Sequence, residues 1–502
     1  MHTIDLIIVA IYLTSIFAVG YFLRGYVNSF NDFMIANSKM GVALGVASMA
    51  GTELGLITVM YNAQKGVSGL FAAFHIGLIA FVVTLAIGLS GFVIVKLRDL
   101  KVKSIPEFYK IRYGKDIRIL GALFLVFGGI LNMGLFLKVG AIFLDVVFFK
   151  YSMDDISVNI SVIMIFLLAL VLFYTMMGGM ISVIITDYMQ FVILSIGLII
   201  STFIIVDKMG GLDAVFAYVE ASKGIDAFNP ISSNEFGYSY IIWMFILGFV
   251  SCVVWPTSAT RALAMKDSES LKKQYIWSSI SFLIRFMLPC FLGILAFVYI
   301  DLNDIVINAK DITLDEPESR LRAMPTLIKE VLPVGILGLV VAGMLAAFMS
   351  THDSYLLCWS TIIINDIVSP LSKKKLNSNQ KIYLSRIVII LLGIYILYWG
   401  LFYKGSEDIW DYLSITGSVY FSGAITLIVF GVYSKFANSY GAYASLFCGL
   451  ISLLGLGPLK VYFGIDLSGA VIGIITLLLS AVSMVVGSFY GNILFNQREK
   501  LV

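Results

Sequence analysis

Charge is what this sequence has least of. Only 13% of its 502 residues are Asp, Glu, Lys or Arg, about half the share of an ordinary soluble domain. Histidine is scarcer still: His2, His75 and His352 are the three present, far apart in sequence. They give an intramembrane enzyme little from which to assemble a nucleophile or a metal centre. The four cysteines, Cys252, Cys290, Cys358 and Cys448, each fall inside an apolar segment without framework or metal spacing. They read as packing residues, not disulfide partners. No P-loop, HExxH or nucleophile elbow occurs, so an ATP-driven pump is excluded and energy must come from elsewhere. What remains is apolar: 60% hydrophobic residues and a mean hydropathy of +0.96, gathered in blocks too long for amphipathic stripes.

These blocks predict an all-α polytopic membrane protein forming one transmembrane domain over residues 1–502. Thirteen candidate helices lie near residues 3–22, 41–62, 69–96, 118–148, 156–180, 183–205, 237–256, 274–300, 331–366, 380–403, 409–432, 438–458 and 468–492. The first block, TIDLIIVAIYLTSIFAVGYFL, is too long for a signal-peptide core and lacks a basic lead, so it is expected to stay as a span. Too few residues follow 492 in this sequence for a soluble domain. With the N-terminus outside, the inner loops hold about twice as many Lys and Arg as the outer ones. The basic loops KLRDLKVKSIPEFYKIRYGKDIR, RALAMKDSESLKK and SPLSKKKLNSNQK then face the cytoplasm of a cell membrane, with the C-terminus inside. The longest outer loop, DLNDIVINAKDITLDEPESRLRAMPTLIKE, is expected to carry a short surface helix.

Ionisable residues inside spans cost roughly 2.5–3.5 kcal/mol each at a helix centre, so each asks for a reason. Glu53 sits mid-span in GVALGVASMAGTELGLITVMYNA, among small residues that let helices approach and make this helix easy to break. It is either a buried structural carboxylate or part of a discontinuous, ion-coordinating helix. Arg285, in SSISFLIRFMLPCFLGIL, is a permanent cation well inside its span. It pairs with Glu53 or serves as counter-charge to an anionic solute. Lys138 is expected to snorkel to an interface. His75 reads as a satisfied bundle histidine before a substrate contact. Asp187 is a helix cap or draws a cation to an inner vestibule. Trp255, Trp277 and Trp410 fall near predicted span ends, where an aromatic belt explains them.

The stretch AAFMSTHDSYLL (346–357) sets Ser350 and Thr351 side by side in an otherwise apolar helix. Each hydroxyl has a harmless option, the carbonyl four residues back. Together with carbonyls freed by a broken neighbouring helix, they also suit a dehydrated hard cation such as Na⁺.

EVLPVGILGLVVAGMLAAFMSTHDSYLL, YTMMGGMISVIITDYMQ (174–190) and PTSATRALAMKDSESLKK (256–273) resemble signature segments of the sodium:solute symporter family, and their order along the chain fits it. In the second, Ser182 stands where alanine is usual. The resemblance implies a leucine-transporter-like core of two inverted five-helix repeats, residues 41–205 (helices 2–6) and 237–432 (helices 7–11). Helix 1 (3–22) and helices 12 and 13 (438–492) are peripheral. Na⁺ would be bound by the hydroxyls of Ser350 and Thr351, the carbonyl of Ala347, and carbonyls of Ala50 and Glu53; a one-residue shift makes the last two Gly51 and Leu54. Asp187 would lie on the inner ion path, and Asp353 and Ser354 in helix packing and the inner gate.

The implied activity is Na⁺-coupled import of a small organic solute by alternating access. An amino acid or other carboxylate is favoured, with Glu53, His75 and Arg285 as candidate substrate contacts. The alternative keeps the fold for a neutral or cationic solute such as a sugar or choline, or for a solute sensor. Helix 7 (FVSCVVWP) lacks the glycines of the proline symporters, and the sugar symporters' polar residues are not recognisable. Expected partners are the solute, Na⁺ and the bilayer, with a monomeric functional unit and no nucleic acid.

Overall fold

A computed structural model describes residues 1–23, 40–149, 156–177, 180–233, 235–305, 314–403 and 407–499. Among these residues the chain is helical throughout, with one isolated parallel bridge between Met40 and Met265. Among the described residues, nine helical stretches are long and apolar enough to cross a bilayer, or ten if the bent pair Ser439–Gly455 and Gly457–Phe463 forms one span.

The helices that build the centre are α1 (Thr3–Leu23), α2 (Val42–Glu53), α3 (Leu56–Gly69), α4 (Phe74–Ser90) and α5 (Lys115–Met133). They continue with α6 (Phe136–Phe148), α7 (Ile156–Met177), α8 (Met180–Lys208), α9 (Gly237–Val254), α10 (Pro256–Ala264) and α11 (Ser268–Leu302). After α12 (Pro317–Val331) come α13 (Ile336–Ile362), α14 (Ser378–Phe402), α15 (Ile409–Tyr433), α16 (Ser439–Cys448) and α17 (Gly469–Glu499).

Two spans are broken in the middle. Between α2 and α3 the backbone leaves helical geometry at Leu54 (φ −92°, ψ 63°) and Gly55 (φ −84°, ψ 167°). Between α9 and α10 it does so at Trp255 (φ −63°, ψ 124°), because a residue ahead of Pro256 is pushed out of the helical region. The far ends of the two broken spans are tied together: Met40 donates to the carbonyl of Ala264 at 3.0 Å and accepts from Lys266 at 3.0 Å.

The apolar stretch Leu56–Ser90 is two elements running in opposite directions. Along α11, Gly45 meets Gln274, Asn62 meets Arg285 and Gly66 meets Cys290, so α2 and α3 run with it. Gly77 meets Met287 and Gly88 meets Ile276, so α4 runs against it. The reversal occurs at Leu70, which takes a positive φ of 50°.

Sequence-local signals set the long helices. Asp267 caps α11 by accepting from the Ser270 amide at 2.7 Å, a bond that holds its carboxyl below the usual range. Asn377 and Gln380 form a capping box at the start of α14. The signature helix α13 is buried along nearly its whole length. Helices α7, α14 and α17 instead turn Ile165, Phe166, Leu391, Phe402, Val482 and Phe489 outward, as a lipid-facing rim requires. The longest outer loop does carry a helix, α12, but not a surface one: Leu321, Met324, Leu327 and Ile328 bury it against the bundle; residues 306–313 of that loop lie outside the described residues. Gly178 and Gly179, ahead of Asp187 in YTMMGGMISVIITDYMQ, also lie outside the described residues.

Candidate functional site

The break in α2–α3 leaves Glu53 at a helix end with its side chain pointing at the other break. Its Oε1 accepts from Ser258 Oγ at 2.7 Å and Thr257 Oγ1 at 3.1 Å, both in the first turn of α10. A carboxylate there also meets the positive end of that helix. Its Oε2 pairs with Arg285 Nη1 at 2.8 Å. The same Nη1 lies 3.1 Å from the Glu53 carbonyl, which also accepts from Thr58 Oγ1 at 2.8 Å. Arg285 packs its guanidinium over Phe282 (3.9 Å) and Phe286 (4.7 Å), and its Nε is buried with no partner.

Beside this pair lies a central cavity. Tyr61, Phe136, Trp255, Tyr355, Trp410 and Phe421 supply aromatic walls, and Thr58, Asn132 and Ser414 add hydroxyl or amide groups. Trp255 donates to the Tyr355 hydroxyl at 2.8 Å, leaving that phenol's own hydrogen free to donate. Trp410 packs against Tyr61 with ring centroids 4.7 Å apart and the planes tilted by 38°.

Thr351 borders the same cavity and marks a second cluster on α13. Its Oγ1 is buried without a hydrogen-bond partner, and a Cβ placed on Gly55 would overlap it. The bare glycine is what allows the broken helix to approach this hydroxyl. One residue earlier, Ser350 Oγ contacts Asp187 Oδ1 at 2.5 Å and stands 3.4 Å from the Gly51 carbonyl. Asp187 Oδ2 gathers Thr52 Oγ1 (2.8 Å), Arg261 Nη2 (2.9 Å) and Ser48 Oγ (3.2 Å). Arg261 also donates to Ser354 Oγ at 2.8 Å, and Ser354 donates to Asp353 Oδ1 at 3.3 Å.

Toward the other end of α3, Lys65 is buried between Asp408 (2.9 Å) and Asp411 (2.8 Å). Tyr240 donates to Asp411 at 3.2 Å, and Arg320 of α12 bridges Glu235 (3.0 Å) and Asp408 (3.6 Å). Gln64 donates to the Pro317 carbonyl (2.7 Å) and accepts from the Ile409 amide (3.0 Å). The cavity thus lies between two hydrogen-bonded charged layers.

Of the candidate residues, the structure brings Glu53, Arg285, Ser350, Thr351 and Asp187 into this one region. Ala50 and Ala347 are buried there too, Ala347 one turn before Ser350 and Thr351. The Ala50 carbonyl accepts from the Leu54 amide at 2.8 Å. Asp187 does not cap a helix; it lies inside α8. His75 is elsewhere, its Nδ1 2.7 Å from the Ala72 carbonyl and its ring against Phe236, outside the cavity lining. Lys138 borders a separate cavity with Tyr403, Glu407 and Glu318.

The belt reading of Trp255 and Trp410 is corrected: both line the cavity, because α9 stops at mid-span and α15 begins beneath the Lys65 layer. Trp277 is exposed on the surface of α11. Sequence reasoning missed Ser48, Lys65, Thr257, Ser258 and Arg261 as site residues. Lys65 sat too near a predicted span end to stand out, and Arg261 was visible only as part of a motif.

Two mid-span breaks facing one another across an aromatic cavity, inside a helical bundle, define a secondary transporter with a leucine-transporter-like core of two inverted repeats. The family model for "Sodium:solute symporter family" matches residues 33–449, and the chain belongs to that family. A sodium/sialic acid symporter of Proteus mirabilis (strain HI4320) is 26% identical over 92% of this chain and 90% of its own. A solved Na⁺-coupled sialic acid symporter, substrate-bound and outward-open, has the same fold at a TM-score of 0.80 and 21% identity, over 97% of this chain and 98% of that one. Mhp1, a nucleobase-cation-symport-1 family transporter in a closed conformation, matches at 0.52 and 11% identity, over 91% and 94%. The protein is an integral membrane protein of a sodium-coupled symporter family.

Proposed function

We propose that this protein imports an amino acid, or another solute recognised through its carboxylate, together with Na⁺ by alternating access. The observation that carries the solute class is Arg285: Glu53 holds one of its nitrogens, while Nε is buried with no partner at the cavity wall. An unmade bond at a buried donor costs about 1–3 kcal/mol, more for a charged group, and a carboxylate is the natural acceptor for a guanidinium. The Glu53–Arg285 pair cancels its own charge, so the site favours a zwitterion over a dianion. An ammonium group finds the Asn132 amide oxygen and several aromatic faces in the same cavity.

For Na⁺, the Ser350 and Thr351 hydroxyls reach the broken α2–α3 span at Gly51 and Gly55, and the Ala347 carbonyl, one turn earlier on α13, is the further ligand this reading assigns. The Glu53 carbonyl already serves two donors, whereas Gly51 faces Ser350 and Gly55 faces Thr351. Those contacts support the Gly51 and Leu54 carbonyls over those of Ala50 and Glu53. Asp187 then stands behind the ion on the inner side. The proposed frame keeps thirteen crossings in a cytoplasmic membrane, N-terminus outside and C-terminus inside, with repeats at 41–205 and 237–432 and a single chain as the functional unit.

The test is thermal stability of the purified protein against a solute panel, in Na⁺ and in K⁺. A ligand at a hundredfold over its dissociation constant adds about 2.7 kcal/mol. Amino acids should stabilise strongly in Na⁺ and weakly in K⁺. A response confined to sugars or to choline would overturn the solute class, and equal behaviour in the two salts would overturn the ion site.

A further inference from the structure

We infer that a side pocket kept open by Gly248 receives the apolar side chain of the transported amino acid, which makes Gly248 a specificity-determining residue. The inference rests on the amino-acid reading above. The pocket is small and lies between α4, α9 and α11. Ile76, Ile79, Met244, Leu247, Phe282 and Phe286 make most of its wall. Leu247, Ser251, Arg285 and Trp410 border both this pocket and the central cavity. A solute whose carboxylate meets Arg285 therefore has its side chain within reach of the pocket.

The pocket's polar groups are already engaged, Arg285 aside. Ser251 donates to the Gly248 carbonyl at 3.1 Å, and the Cys252 thiol lies 3.3 Å from Thr84 Oγ1. Ser251 Oγ keeps only lone pairs to offer, so a buried ammonium or hydroxyl would leave most of its bonds unmade and the chemistry favours hydrocarbon or an aromatic ring over polar side chains.

Gly248 is the residue that leaves this space. It sits inside helix α9 among large neighbours, IIWMFILGFV, where glycine is about 1 kcal/mol worse than alanine. Its backbone has no positive φ. No close helix approach demands it either: a Cβ built there meets nothing nearer than Ile79 and Val83 at 3.9 Å. Elsewhere in the bundle, glycines such as Gly66 and Gly293 face backbone that a Cβ would strike. The bare position 248 adds room to the pocket without being required by the fold.

The experiment uses the full-length purified protein and its Gly248→Ala and Gly248→Leu variants. Binding of glycine, alanine, valine, leucine, phenylalanine and serine is read by thermal shift and competition in Na⁺. Wild-type affinity should rise with apolar side-chain size and fall for serine relative to valine. Gly248→Leu should weaken leucine and phenylalanine about tenfold or more, while leaving glycine and alanine within about twofold. Gly248→Ala, which the structure accommodates, should give a smaller loss in the same order and keeps the test readable if the larger variant fails to fold. Stabilisation by Na⁺ alone should be unchanged in both. Equal effects on all amino acids, or none, would overturn the side pocket while leaving the amino-acid reading intact. If no amino acid stabilises the wild type in Na⁺, that reading falls and this inference with it.

Discussion

Ser350 on α13 and Asp187 on α8 share a hydrogen bond of 2.5 Å, so one of the signature hydroxyls is already oriented by a buried carboxylate. Its neighbour Thr351, turned about 100° around the helix, has no such partner and faces the broken span at Gly55. The two hydroxyls therefore differ: one is held by the protein, and the other is the one the proposed site leaves for an ion.

Replacing either should weaken Na⁺ binding. Ser350→Ala and Thr351→Ala are each expected to raise the Na⁺ concentration for half-maximal uptake by about tenfold, as for a lost ligand of about 1–3 kcal/mol. Thr351→Ser, which keeps the oxygen, should restore most of the loss. Uptake measured against a Na⁺ titration decides it; unchanged Na⁺ dependence in both alanine variants would remove the ion site from α13.

Gly55→Ala tests the close approach directly. The added methyl would collide with Thr351 Oγ1, and overpacking of this kind costs about 1–3 kcal/mol. The double variant Gly55→Ala with Thr351→Ala should recover stability without recovering Na⁺ dependence. Thermal unfolding in K⁺ reads the first effect and Na⁺-dependent stabilisation the second.

The Glu53–Arg285 pair should behave as a unit. Arg285→Gln leaves a buried carboxylate held by Thr257, Ser258 and the N-terminal end of α10 alone, and breaking a buried pair from one side costs about 3–5 kcal/mol. Adding Glu53→Gln should return part of that stability. Binding of a carboxylate solute should remain lost in both variants, because the guanidinium is absent from each. Normal affinity in Arg285→Gln would make the arginine purely structural.

Lys65 offers the matching test at the other layer. Lys65→Met strands Asp408 and Asp411 without their shared cation, although Arg320 stays 3.6 Å from Asp408. A loss of about 3–5 kcal/mol is expected, reduced when Asp408→Asn is added. If the layer also closes the cavity, a cysteine at Ser414 should react faster with an external thiol reagent in Lys65→Met than in the parent. Equal rates would limit Lys65 to a structural role.

What the sequence determined by itself was whatever a span declares locally. Apolar runs marked the helices, the glycines around Glu53 marked one that breaks, and MSTHDS marked a polar turn in an otherwise apolar helix, whereas the break at Trp255 read only as a span end. These signals are local because bilayer length, backbone freedom and hydrogen-bond satisfaction act over a few turns of chain. Tertiary structure alone decided which charges meet. Glu53 finds Arg285 across 232 residues and Lys65 finds Asp408 across 343. No local pattern carries such pairings, because they depend on which faces of packed helices touch. The same packing moved Trp255 and Trp410 from the expected interface to the cavity wall and placed His75 outside it. It also set Gly248 beside a pocket when the sequence showed only one glycine among many.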